Sequence, residues 1–172
     1  MTETLLAFLE SIEADADTIE QGTRYYLAEH TNDLPHGDMH AAILASAVDA
    51  GRAEDYLRLL EHQSDVLEQG ALAVLSAAWE EPGQAELVRN ALLDAKAKLP
   101  VIEAGILAIV VMYGLYLHTT GGKKREKRVV ERSANGRFKE TTEIEYYSAT
   151  SPLTAITGLF RRPPLPQDHD EQ

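Results

Sequence analysis

The stretch His36-Gly37-Asp38-Met39-His40 gathers the densest set of metal-ligating side chains in the chain, with His30 and His62 lying elsewhere in the same half. A zinc site needs its ligands on a firm frame, such as two histidines four apart on one helix with a third ligand brought in. Gly37 is a poor helix residue and Asp38 is a natural N-cap, so the spacing predicts His36 outside the helix that holds His40. The stretch therefore reads as a polar loop, and no metal is expected. Other chemistry is equally sparse. The Glu-x-x-His pairs of carboxylate-bridged di-iron bundles are missing. Gly121-Gly122 is followed by Lys123 and Lys124 but lacks the upstream glycine and the Lys-Ser/Thr ending of a phosphate-binding loop. No Gly-x-Ser-x-Gly elbow occurs, and with no cysteine there is neither a thiolate nucleophile nor a disulfide framework. The carboxylates fall on helix faces expected to be exposed, where they titrate normally. These residues point to a non-enzymatic protein with no catalytic residues and no cofactor.

Charge supplies the clearer signal. Up to Lys98 the chain carries nineteen acidic against six basic residues, whereas between Gly121 and Lys139 eight Lys/Arg face only Glu126 and Glu131. An acidic half beside a short basic segment argues against general nucleic-acid affinity and fits a local contact with an acidic or phosphate-bearing partner. The residues assigned to that contact are Lys123, Lys124, Arg125, Lys127 and Arg128, with the apolar Leu159 and Phe160 of the tail.

Helices must position these groups. Leu5, Leu9, Ile12, Ala16, Ile19, Thr23 and Tyr26 alternate spacings of four and three, which predicts one helix from about Thr4 to about Glu29 with a single apolar seam. Glu10, Glu13, Asp15, Asp17 and Glu20 then occupy its opposite, exposed face. Pro35 and Gly37 break the chain, and a second helix is expected over Met39–Ala50, ended by Gly51. A third, with Ala53, Tyr56, Leu57, Leu60 and Leu67 on one stripe, closes near Gly70. A short fourth holds Trp79, and a fifth starts after Pro82-Gly83 with Leu87, Val88, Ala91, Leu92 and Ala95 inward. Short helices joined by tight turns predict an antiparallel bundle over residues 1–98.

The most apolar segment, Leu99–Thr120, leaves three readings open: a buried helix, a strand buried on both faces, or a membrane span. Beyond it the period changes to two, and Asn135-Gly136 marks a hairpin. A two-residue turn would oppose Arg132 to Lys139 and Glu131 to Glu140, both like pairs. A three-residue loop of Ala134, Asn135 and Gly136 instead opposes Glu131 to Lys139, Lys127 to Glu143 and Arg125 to Glu145, and that register is the one expected. Val130, Phe138, Ile144 and Tyr146 then share a face that covers the apolar segment. Ser151 and Pro152 open a short helix carrying Leu153, Ile156, Leu159 and Phe160, and residues 163–172, with the polyproline-like Pro163…Pro166, read as a disordered tail.

The fold class is mainly helical α+β: an acidic bundle over 1–98, then an apolar segment, hairpin and short helix over 99–162. The N-terminus lacks the basic start and continuous apolar run of a secretory signal, and the absence of cysteine fits a reducing, cytoplasmic compartment. The expected function is an adaptor or regulatory protein that docks a protein partner through its C-terminal module. Two other classes stay in view: a membrane-associated protein with residues 99–120 inserted and Lys123–Arg128 on anionic headgroups, and an acidic inhibitor or immunity-type protein steered to a basic target. The length of the Leu5–Tyr26 seam also suggests a weak homodimer.

Overall fold

Asp15 accepts hydrogen bonds from both the backbone N–H (2.8 Å) and the hydroxyl (2.7 Å) of Thr18, and this cap divides what the apolar spacing presents as one helix. The computed structural model describes residues 2–98, 103–119, 127–143 and 152–160. Helix α1 runs Leu5–Ser11 and α2 runs Ala16–His30, with Glu13 between them at φ 49°. Lys96 Nζ closes the break by donating to the carbonyls of Ile12 and Glu13, which the end of α1 leaves without helical partners. Of the seam, Leu5, Leu9, Ile19, Thr23 and Tyr26 are buried within the chain, and Ile12 and Ala16 are half-buried.

Capping also moves the next boundaries. Helix α3 covers His36–Ser46, starting directly after Pro35, so Asp38 lies in its first turn rather than capping it. Asp49 caps α4 (Ala50–His62) by accepting from Arg52 N–H, which places Gly51 inside a helix rather than at the end of one. A single residue, Gln63, separates α4 from α5 (Ser64–Glu80). Leu67 and Trp79 therefore share one long helix. Gly70 sits in its middle because Val111 packs there: an added Cβ would lie 2.7 Å from Val111 Cγ1. Glu81-Pro82-Gly83 turns the chain into α6 (Ala85–Ala97), as expected.

The apolar segment is a buried helix. Helix α7 (Ala104–Thr119) is packed against α2, α3, α4 and α5 and against α8 (Pro152–Gly158). Leu107, Ala108, Val110, Val111, Met112 and Leu115 are each at most 5 % exposed. A helix that is apolar all round is stable in water only when other elements surround it, and here five do. The strand reading is thereby corrected. Among the described residues no helix is long and apolar enough to cross a membrane. One hydrophobic core runs from Leu5 through α7 to Phe160.

Two antiparallel strands, β1 (Lys127–Arg132) and β2 (Phe138–Glu143), form the hairpin, pairing Lys127 with Glu143 and Glu131 with Lys139. Ser133 N–H donates to the Arg137 carbonyl and Gly136 stands at φ 84°, so the loop is the three residues the charge pattern selects. The Arg125–Glu145 pair and the side chains of Ile144 and Tyr146 lie outside the described residues. Val130 is buried and Phe138 packs on the core from the same face, but the surface they cover belongs to α5 and α1 rather than to α7. The reason is geometric, since α7 is already enclosed by helices and α5 keeps an uncovered side with Ser76 and Glu68 upon it.

Candidate functional site

Among the described residues, polar side chains form two bonded sets. The first is a cluster at one end of the bundle. Helix α2 contributes Tyr26 and, one turn later, His30; α7 contributes His118 from its last turn; the α5–α6 link contributes Glu81 and Gln84 around Gly83, whose φ of 81° makes the turn. Tyr26 Oη donates to Gln84 Oε1 (3.1 Å) and lies 3.2 Å from His118 Nε2. His30 Nδ1 also reaches Gln84 Oε1 at 3.1 Å, and His118 Nδ1 reaches Glu81 Oε1 at 3.1 Å. The two imidazoles stand 5.1 Å apart, and Tyr26 lies within 5.7 Å of both rings. Burial pushes the His118 imidazolium below the ordinary histidine range against the opposing pull of Glu81. Burial also raises the Tyr26 phenol well above its ordinary value.

A carboxylate–imidazole–phenol chain is able to move a proton, and on an open surface it would activate the phenol. Here Tyr26 is completely buried and the His118 side chain is 2 % exposed, whereas the Glu81 side chain at the outer end is 46 % exposed. Its members are 92 residues apart in the chain at the widest contact, which is why sequence spacing does not reveal it. Only the Tyr26–His30 pair, four apart on one helix, carries a local signal.

The second place is the hairpin. Val130 N–H donates to Ser76 Oγ (3.2 Å), and Arg132 pairs with Glu68 (3.1 Å), fastening the hairpin to α5. Glu131, Lys139, Arg137 and the turn residues Ser133–Gly136 are exposed. A cleft of about 550 Å³ separates the turn from the α1–α2 link; Glu10, Glu13 and Asp15 line one side, and Arg132, Arg137 and Phe138 the other.

The residues assigned to partner contact divide among three situations. Lys123, Lys124 and Arg125 lie outside the described residues. Lys127 and Arg128 belong to β1, near the hairpin's open end. Leu159 and Phe160 are core residues, 5 % and 8 % exposed, with Phe160 ringed against Tyr116 at 5.2 Å and the Leu159 carbonyl accepting from Val48 N–H. Their apolar stripe faces the bundle.

Helix α3 corrects the histidine stretch in one respect: His36 and His40 share that helix, four apart. His40 Nε2 instead pairs with Glu54 of α4 at 3.0 Å, and among the described residues no three acidic or histidine side chains converge on a point that would hold a metal ion. Glu20 was expected on the exposed acidic face and is buried, 8 % exposed. Burial, and then the nearby charges of Asp17, Glu68 and Asp15, raise its carboxyl to about 7. Comparison with known families, with curated proteins and with solved structures finds no match to this chain.

Proposed function

We propose that the protein is a non-enzymatic interaction protein, adaptor or regulator, that docks a protein partner in the cytoplasm through its hairpin and the basic residues leading into it. The observation that carries this reading is the contrast between the two polar places. The Tyr26–His118 pair is turned inward, whereas the hairpin is tied to α5 through Ser76 and Glu68 and presents exposed Glu131, Arg137 and Lys139 beside its turn. Exposed charges at such a rim steer encounter and set partner choice, and in a protein of net charge −12 a basic element is a distinct address.

Arg137 and Lys139 are exposed, so reversing both to glutamate is expected to cost only about 1 kcal/mol, chiefly from the like pair that Lys139→Glu makes with Glu131. The same variant is expected to lose co-purification of the native partner from its host by at least about tenfold, or about 1.4 kcal/mol. Undiminished co-purification, or turnover of a small molecule in an unbiased metabolite screen, contradicts the reading.

A further inference from the structure

The donors and acceptors of the buried cluster can be counted. A phenol has one proton to give, a carboxylate only accepts, and a neutral imidazole donates at one nitrogen and accepts at the other. In the structure the Tyr26 proton goes to Gln84 Oε1. The contact between Tyr26 Oη and His118 Nε2 then requires a proton on the imidazole, and the contact between His118 Nδ1 and the Glu81 carboxylate requires a second. An imidazole that donates at both nitrogens is an imidazolium. Gln84 Oε1, already accepting from Tyr26, also accepts from His30 Nδ1–H in this wiring.

Removing one proton from His118 leaves the same heavy atoms satisfied only in the reverse sense. His118 Nδ1–H continues to donate to Glu81, while the bare Nε2 accepts the Tyr26 proton. The phenol oxygen must now accept from Gln84, so the amide presents its NH2 where its oxygen stood. His30 Nδ1, facing that NH2, becomes an acceptor and carries its proton on Nε2. Neither wiring sets donor against donor or acceptor against acceptor, and they differ by one proton, half a turn of the Gln84 amide and one histidine tautomer.

We propose that this cluster is a proton-operated two-state switch: protonation of His118 reverses the hydrogen bonds through Tyr26, turns the Gln84 amide and changes the tautomer of His30. The chain ties three elements together, α2, α7 and the residue that precedes α6, so the proton state of one imidazole is read where α6 begins. The groups that bear on His118 are Glu81 from the α5–α6 link and His30 and Tyr26 from α2, and the charges acting on its ring come from Glu81 and His30. Burial favours the neutral wiring, and Glu81 favours the charged one.

Nitrogen NMR of the imidazole rings in the full chain, from roughly pH 8 to pH 5, spans the histidine range and tests the switch. The expected result is one step in which His118 gains its second proton and, at the same midpoint, His30 passes from Nε2–H to Nδ1–H and the Gln84 side-chain amide resonances shift. Tyr26→Phe cuts the relay, and Gln84→Met, at a half-buried position, cuts it without touching the core. In either variant His118 still titrates while the tautomer of His30 no longer follows. The proposal is overturned if His118 keeps one protonation state throughout, if His30 and Gln84 stay unmoved while His118 titrates, or if the coupling survives Gln84→Met.

Discussion

Gly114→Leu is expected to destabilise the protein by at least about 3 kcal/mol, at the upper end of the cost of overpacking a core, and to abolish folding at moderately elevated temperature. An added Cβ at Gly114 would stand 2.8 and 2.9 Å from the two methyls of Val74 and 3.0 Å from Leu27 Cδ1. Both neighbours are fully buried, one on α5 and one on α2, so neither has free space to turn into. A β-branched valine in a helix is also held to one rotamer, so α7 itself must move away. Because α7 is the helix that the others surround, its displacement disturbs packing on every side. Gly37 supplies the control. It lies in the first turn of α3 with nothing within 4 Å of the Cβ position, so Gly37→Ala is expected to stabilise by about 0.5 kcal/mol through the unfolded chain. Urea unfolding of the two variants checks both signs. Equal, small effects would mean that α7 is not enclosed.

Glu20→Gln is expected to stabilise the protein above neutral pH and to do nothing near pH 4.5. The folded carboxyl holds its proton up to about 7 while the ordinary carboxyl releases it near 4.5, so across that window the folded chain binds more protons than the unfolded one. Stability therefore falls as pH rises through the window, and the loss is complete above about 7. With allowance for solvent screening, the cost of ionised Glu20 is on the order of 2 kcal/mol. For a chain of this length that corresponds to a melting temperature about 4–8 °C higher in the variant at alkaline pH. His118 acts in the opposite sense. Its folded imidazole is depressed below 6.5, so its contribution is present above that value and lost as pH falls. Below about 6.5 the two slopes oppose each other, and Glu20→Gln removes the one that falls with pH, leaving stability rising with pH there. Melting curves of both proteins across the acid and neutral range decide this, and a gain independent of pH contradicts the burial of a charged Glu20.

How much of this was legible in the sequence differs by element. The hairpin register was legible because a cross-strand pair is a local event: like charges opposed in one register become Glu131–Lys139 and Lys127–Glu143 in the other. The apolar segment was ambiguous for a physical reason. A helix buried on all sides and a strand buried on both faces present the same uninterrupted hydrophobic run, and only the neighbours distinguish them. Helix ends were missed where periodicity outran capping. The apolar seam continues in phase across Glu13-Ala14-Asp15, yet the Asp15–Thr18 cap starts a new helix there, and Asp49 does the same before Ala50. Glu20 was misplaced with the seam, since a helix contacting both α5 and α6 buries more than one stripe. The Tyr26–His118–Glu81 chain was not legible at all, because its residues meet only after three helices have packed.

Lysine-directed cross-linking followed by peptide mapping tests the docking account most directly. The chain has six lysines, Lys96 and Lys98 in the bundle, Lys127 and Lys139 in the hairpin strands, and Lys123 and Lys124 just before the hairpin in sequence. Lys98 borders a separate pocket with Tyr25, Glu29 and Asp33, so it reports on a surface other than the hairpin cleft. With the native partner bound, cross-links to that partner are predicted from Lys139 and from Lys123, Lys124 and Lys127, with Lys98 silent. Partner cross-links confined to Lys98 would contradict the account and would assign docking to the acidic bundle instead.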